Sequence, residues 1–284
     1  MKPARFSYEA PATVADALAA LAAQGDSAKV IAGGQSLAPM MNMRIAQPDH
    51  LIDINRIKEL GHVRLENGRL VCGALMRHAD LARHELVRTH APMLAHAAGT
   101  IGHYAIRQRG TLGGSLAHAD PAAQLPLVAV ALDAEIELAS KRDRRFVAAS
   151  DFFSSIFTTV LAPQELLVAV HIPLQHPREG WGFRLFARRA GDFAMALVAC
   201  SLIRHGDDIK AIRLAIGGVA PTPVRLDDKI PPGPVDAAWA AHAASAVAVA
   251  AQVEDNERIS AEYRRELLEA LTHDALSDAL ERAT

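Results

Sequence analysis

The stretch Ala32-Gly33-Gly34-Gln35-Ser36 directly follows a short β-rich run at 29–32, and a similar stretch, Thr111-Leu112-Gly113-Gly114-Ser115, occurs later in the chain. Paired glycines permit positive φ and let a ligand approach the backbone without a Cβ in the way. Consecutive N–H groups in such a turn form a concave nest for an anion such as pyrophosphate, and the serine and threonine residues add hydroxyl donors. Neither stretch contains lysine and the chain lacks GxGxxG, so neither is a Walker A loop or a dinucleotide fingerprint of that kind. One such turn alone is more often structural, whereas two with similar chemistry favour a functional site; their spacing alone does not identify the ligand.

The residues around the first turn predict a small β-α-β unit over about the first 55 residues. Thr13 and Asp16 form a capping pair ahead of apolar residues at helical spacing, and a second short strand is expected at 51–54. Asn67-Gly68 then separates two alternating runs and predicts a hairpin with a type I′ turn. Asp120-Pro121 predicts the start of a helix that runs to about residue 131.

The composition is that of an ordinary globular chain. Of its 284 residues, 50% are hydrophobic and 22% charged, which is compatible with one or two folded domains. A net charge of −2 provides no basic surface for nucleic acid. Two widely separated cysteines, Cys72 and Cys200, fit a reducing compartment. We expect a cytoplasmic protein without a membrane span, because the start lacks an apolar leader core and no sufficiently long apolar run occurs.

The pattern changes from about residue 178 onwards. Long strands are expected at 183–188, 193–204 and 209–217, with a hairpin turn at Gly206-Asp207-Asp208. A loop rich in Asp and Pro follows at 227–234, and the segment 237–283 predicts two helices.

Other candidate site residues carry weaker signals. The histidines form no HExxH or Cys/His cluster, which argues against a zinc site, and neither serine of the two turns lies in a GxSxG elbow. His118 is near the second turn, and Arg107 and Arg109 precede it; each is at least as consistent with a structural role. Phe193 faces either a flat ring or the core. The basic run at 141–145 is interpreted as a solvated turn.

Four stretches, in this order, carry a specific resemblance: AGGQSLAPMMNMR (32–44), IRQRGTLGGSLAHADPAAQLP (106–126), FARRAGDFA (186–194) and GGVAPTPVR (217–225). Together they resemble the FAD-binding medium subunit of the molybdenum hydroxylases, of the carbon monoxide dehydrogenase and xanthine dehydrogenase type. The resemblance implies an α+β fold. Residues 1–177 would form a two-subdomain FAD-binding domain of the vanillyl-alcohol-oxidase (PCMH-like) type, divided at about 56/57. Residues 178–284 would form the family's C-terminal domain, an antiparallel sheet with helices.

The resemblance also assigns roles at the cofactor. Ile101 falls at an apolar position against the flavin, and Gln124 falls where relatives often have Asp or Glu bonding the sugar-alcohol chain. Leu167 matches a backbone contact near the isoalloxazine, Arg184 falls where some relatives carry lysine, and Phe193 matches an aromatic residue that covers the ring in some relatives. The full expected set is Ala32, Gly33, Gly34, Gln35, Ser36, Ile101, Thr111, Leu112, Gly113, Gly114, Ser115, Gln124, Leu167, Arg184 and Phe193.

The implied function is electron transfer. FAD, held non-covalently, would receive electrons from [2Fe–2S] clusters on a small partner subunit and pass them to an external acceptor, while a large partner subunit carries the molybdenum cofactor. A dimer of heterotrimers is expected, with no catalytic acid or base and no metal on this chain. Two alternatives stay open: a stand-alone FAD-dependent oxidoreductase with its own small-molecule substrate, and an assembly subunit that has lost FAD.

Overall fold

The N-terminal region is a three-stranded parallel sheet flanked by two helices. Its elements are β1 (Ser7–Glu9), α1 (Val14–Gln24), β2 (Ala28–Ile31), α2 (Leu37–Asn42) and β3 (His50–Asp53), with strand order β1-β3-β2. The computed structural model describes residues 2–231, 235, 238–253, 255 and 259–283. Thr13 caps α1 by accepting a hydrogen bond from the Asp16 N–H, as predicted. The first turn follows β2 directly, at the end of the sheet.

The second region is a five-stranded antiparallel sheet with a group of helices. Its elements are β4 (Val63–Glu66), β5 (Arg69–Gly73), α3 (His78–Leu81), α4 (Glu85–His90), α5 (Pro92–Thr100), α6 (Tyr104–Arg109), α7 (Leu112–His118), α8 (Gln124–Ala131), β6 (Glu135–Ala139), β7 (Arg144–Ala148), α9 (Ala149–Phe152), β8 (Phe153–Ser155), β9 (Thr158–Thr159) and β10 (Leu166–Pro173). The strand order is β4-β5-β10-β6-β7, and β8 pairs separately with β9. Asn67 and Gly68 both have positive φ, which confirms the predicted hairpin turn.

The helix predicted to start after Asp120 begins later than expected. The Asp120 carboxylate accepts a hydrogen bond from the Ala122 N–H, so it closes a short turn, and α8 starts only at Gln124. From Leu125 to Ala131 every residue of α8 is buried. The three-residue delay leaves residues 120–123 as irregular backbone facing the cavity described below.

The C-terminal part is a four-stranded antiparallel sheet covered by two helices. Its elements are β11 (Glu179–Phe186), β12 (Ala196–His205), β13 (Asp208–Gly217), β14 (Val224–Arg225), α10 (Trp239–Ala250) and α11 (Ala261–Arg282), with the strands in chain order. β11 begins and ends earlier than the strand predicted at 183–188, and β12 begins later than the strand predicted at 193–204. Residues 187–195 therefore form a loop between β11 and β12. The two terminal helices agree with the two helices predicted for 237–283. Residues 232–234 of the predicted loop and residue 237, where the first of these helices was predicted to start, lie outside the described residues.

Alternation along β11 separates its two faces. Trp181, Phe183 and Leu185 pack against the core that the helices and sheet of the second region form. Gly180 and Gly182 face α11, where a Cβ on Gly182 would lie 2.6 Å from the Ala275 carbonyl carbon. Side chains on a strand alternate between faces, so one face of this sheet holds the helix and the other holds the preceding domain. Among the described residues, no helix is long and apolar enough to cross a bilayer.

Candidate functional site

A cavity of about 540 Å³ lies where the two glycine turns meet. Both turns, the connection after α5, the 120–124 segment and the residues around the start of β10 line it. The lining includes thirteen of the fifteen residues expected from the sequence: Ala32, Gly33, Gly34, Gln35, Ser36, Ile101, Thr111, Gly113, Gly114, Ser115, Gln124, Leu167 and Phe193. Its volume is in the range of small-molecule and cofactor sites.

The first turn presents a row of free backbone donors. The N–H groups of residues 33–37 have no acceptor among the described parts of the chain. Gly34 has φ of 70°, a left-handed conformation that favours glycine, and the Gln35 side-chain amide donates to the Gly33 carbonyl at 3.0 Å. Successive unpaired N–H groups in a turn form an anion-binding concavity. This end of the cavity therefore fits a diphosphate.

The second turn differs from the nest expected from its sequence, because its amides already have protein acceptors. Leu112 N–H donates to Met76 O and Gly113 N–H donates to Ala74 O, each at 2.9 Å. The N–H groups of the next two residues return to Thr111, one to its hydroxyl at 3.1 Å and one to its carbonyl at 3.0 Å. The turn contributes hydroxyl groups and shape to the cavity. Leu112 itself points into the core and does not line the cavity.

The two turns are in direct backbone contact. A Cβ on Gly33 would lie 2.8 Å from the Arg109 carbonyl carbon and 3.0 Å from the Gly110 Cα. The Arg77 guanidinium donates to Arg109 O and, at 2.6 Å, to the Asn55 side chain. Asn55 in turn donates to Ala32 O at 2.7 Å. These bonds join the chain before each turn and fix the separation of the two turns.

His78 supports the second turn from beneath. Its Nε2 lies 3.0 Å from Thr111 O, and since a carbonyl only accepts, Nε2 carries the proton. The side chain is buried, and burial lowers its pKa to about 4. A Cβ on Gly110 would lie 2.6 Å from the imidazole, so this ring packs directly against the backbone leading into the turn. His78 therefore acts as a neutral donor. No periodicity or spacing in the sequence indicates this role.

The remaining walls are mainly apolar, with a few polar groups. Ile101 and Leu167 lie on the cavity, and Gln124 accepts a hydrogen bond from the Thr100 hydroxyl at 2.8 Å. His118 also lines the cavity and packs against Phe157 at a tilt, with ring centroids 4.9 Å apart. Partial burial lowers the pKa of His118. Apolar walls with few polar groups suit a flat aromatic ring.

Phe193 and Arg184 have different outcomes. Phe193 lies in the loop between β11 and β12, lines the cavity and is 72% exposed, which excludes the core interpretation. Arg184 does not line the cavity. It lies on the α11 face of β11 and donates to the Asp278 carboxylate at 2.7 Å. Strand alternation turns Arg184 toward the helix, so the structure does not bring it together with the other expected site residues.

The sequence-based predictions did not include a charged pair that lies beside the cavity. Glu165 lines the cavity and forms two hydrogen bonds with Arg145, which belongs to the basic run interpreted as a solvated turn. Only residues 141–143 form that turn, whereas the last two arginines lie in β7 and are paired. The partners are far apart in sequence, so no local pattern could have indicated this contact.

Comparisons with known proteins identify the family. The FAD-binding domain of molybdopterin dehydrogenases matches residues 4–175, and the CO dehydrogenase flavoprotein C-terminal domain matches residues 181–279. The chain is 40% identical over 227 residues to the carbon monoxide dehydrogenase medium chain of Hydrogenophaga pseudoflava, covering 80% of this chain and 79% of that one. It is 38% identical over 290 residues to 6-hydroxypseudooxynicotine dehydrogenase complex subunit alpha of Paenarthrobacter nicotinovorans, covering 100% and 97%.

Solved structures agree. The carbon monoxide dehydrogenase of Hydrogenophaga pseudoflava aligns with a TM-score of 0.96 and 36% identity over 100% of both chains. Quinoline 2-oxidoreductase from Pseudomonas putida 86 aligns with a TM-score of 0.93 and 34% identity, also over 100% of both. These matches confirm the family, the FAD-binding domain and the two-part architecture predicted from the sequence. The chain belongs to the FAD-binding medium subunits of the molybdenum hydroxylases.

Proposed function

We propose that this chain is an electron relay, which receives electrons from the [2Fe–2S] clusters of a small partner subunit and delivers them through FAD to an external acceptor. The observation that carries the proposal is the cavity itself: one end offers a row of free amides and the rest offers apolar walls. FAD, when bound, accepts and releases electrons one or two at a time. This chain's residues then have to bind and orient the cofactor and limit its contact with water.

The positions of the lining residues support a role for each of them. The N–H groups of residues 33–37 would donate to the diphosphate, and Ser115 would add a hydroxyl. Among the residues that line the cavity, Ile101 and Leu167 would lie against the ring, Gln124 would bond the sugar-alcohol chain and Phe193 would cover the ring. FAD is held without a covalent bond to cysteine, since both cysteines are buried and neither lines the cavity.

The iron–sulfur and molybdenum centres belong to partner subunits. A [2Fe–2S] cluster needs four ligands that are mainly thiolates, and this chain has two cysteines in all, both buried. Several relatives are named as the medium chain or one subunit of a larger complex. We therefore propose a large molybdenum-binding partner and a small iron–sulfur partner, assembled as a dimer of heterotrimers. Two unpaired buried thiols support a cytoplasmic location.

Purified chain, with and without its co-expressed iron–sulfur subunit, tests the proposal. The chain alone should be yellow with a flavin spectrum, and dithionite-reduced iron–sulfur subunit should reduce its flavin rapidly. Reduction by a small organic substrate without any partner would instead support a stand-alone oxidoreductase. A folded chain that stays colourless after FAD is added would support the assembly-subunit alternative.

A further inference from the structure

We propose that Arg145 and Glu165 form a charge-compensated pair that positions one wall of the cavity and sets the reduction potential of the flavin bound there. The inference rests on the proposed function in one respect, that flavin occupies the cavity. It concerns two residues that neither the glycine turns nor the family motifs indicated.

The pair is tightly bonded and closes a short loop. Arg145 Nε donates to one Glu165 oxygen at 2.6 Å and Nη2 donates to the other at 2.7 Å, which is the bidentate geometry of a strong ion pair. Arg145 Nη2 also donates to Val160 O at 2.8 Å, and the Glu165 carboxylate accepts from Ala162 N–H at 2.8 Å. One guanidinium thus joins both ends of the 160–165 segment.

This segment leads directly into the cavity wall. Leu161, Leu166 and Leu167 line the cavity on either side of the pair. Leu167 pairs with Leu138 in β6, and the same Leu138 pairs with Arg145 in β7. The register of three adjacent strands therefore places Arg145 where it can hold Glu165 and the wall together.

The pair also determines the net charge at this wall of the cavity. The Glu165 side chain is 11% exposed and Arg145 is 43% exposed, so the carboxylate is the more shielded partner. Hydrogen bonds from Arg145 keep the pKa of Glu165 below its ordinary value, so Glu165 stays ionised and is matched by one positive charge. Reduction makes a flavin more negative. A carboxylate nearby without a compensating positive charge would therefore oppose reduction, because like charges repel more strongly where water is excluded.

A double-mutant cycle that removes each charge in turn separates this electrostatic role from a purely structural one. Apoprotein of the wild type, Arg145→Gln, Glu165→Gln and the double variant is titrated with oxidised and with reduced FAD at about pH 8, where glutamate is ionised. The midpoint potential of each holoprotein is measured at the same pH. In Arg145→Gln, we expect reduced FAD to lose about tenfold more affinity than oxidised FAD, which for a two-electron couple is a fall of about 30 mV in midpoint potential. In Glu165→Gln the ratio shifts in the opposite direction, and the double variant returns close to wild type.

Arg144→Gln is the matched control. Arg144 is the neighbouring arginine in β7, and it pairs with Glu137, which does not line the cavity. The Arg144→Gln variant should leave the ratio of the dissociation constants for oxidised and reduced FAD unchanged. Arg145→Lys keeps the charge but loses the bidentate geometry, so it should weaken both forms of FAD equally and leave the potential near that of the wild type.

The outcomes are distinct. Opposite shifts in the two single variants, cancelled in the double variant, support the proposal. Equal losses for both FAD forms in all three variants, with no change in potential, would overturn it, as would a shift of the same sign in both single variants. If Arg145→Gln does not fold, the direction of the shift in Glu165→Gln decides, and Arg145→Lys must then leave the potential near that of the wild type. A folded wild-type chain that binds no FAD would reject the proposed function instead.

Discussion

Gly33→Ala tests how closely the two turns must approach. The added Cβ would lie 2.8 Å from the Arg109 carbonyl carbon and 3.0 Å from the Gly110 Cα, and both of these atoms belong to backbone. Carbon atoms in ordinary contact are about 3.5–4.0 Å apart, so the turns must separate by roughly 0.5–1 Å. Overpacking of this kind costs about 1–3 kcal/mol. When the same free energy is lost from cofactor binding, FAD affinity falls by about 5- to 150-fold.

The assay is a titration of apoprotein with FAD, followed by quenching of flavin fluorescence, with a thermal melt of the same samples. Gly61→Ala is the control, because Gly61 is exposed and its added Cβ would be 3.6 Å from the nearest atom, Lys58 O. We expect the control to bind FAD like the wild type. If Gly33→Ala bound as tightly as Gly61→Ala, the contact between the turns would not control cofactor binding, and the reasoning would be refuted.

Three further predictions concern stability. Gly182→Ala should lower the unfolding free energy by about 1–3 kcal/mol, because its Cβ would lie 2.6 Å from the Ala275 carbonyl carbon; the melting temperature should fall, while folded protein keeps its FAD affinity. Thr111→Val removes the acceptor for Gly114 N–H and should cost about 1 kcal/mol in urea unfolding, whereas Thr111→Ser should restore it. Burial lowers the pKa of His78 to about 4 from 6.5, so the unfolded chain takes up a proton first as the pH falls. Stability should therefore drop by about 3 kcal/mol between pH 6.5 and 4, and unfolding curves of His78→Gln should lack this component.

Local sequence signals predicted local structure well. Asn67-Gly68 requires two positive φ values in succession, and few residues other than asparagine and glycine adopt them, so the hairpin could be placed from two letters. Thr13 capped its helix as expected. The start of α8 was missed because Asp120 has two local options, a helix cap or a short turn, and both use the same kind of bond from carboxylate to backbone N–H.

Contacts between distant segments could not be predicted in the same way. Arg184 lies in a strand that the sequence did identify, yet which face it occupies depends on where α11 packs. Arg145 looked like part of a solvated charge run because its partner, Glu165, lies beyond three intervening elements. The cofactor set came mainly from the family resemblance, which carries such long-range information implicitly; periodicity and spacing alone indicated the two turns and no ligand.

The two glycine turns look equivalent in sequence, but their surroundings give them different tasks. In the second turn, the N–H groups of residues 112–115 bond to residues 74, 76 and 111, so this turn is held in place before any ligand arrives. The first turn keeps the N–H groups of residues 33–37 free of acceptors among the described residues, and it is positioned by backbone contact with Arg109 and by Asn55. A nest that had to order itself on binding would lose affinity to conformational entropy. The second turn therefore serves as the rigid support against which the first turn can keep its donors unpaired and aimed at one diphosphate.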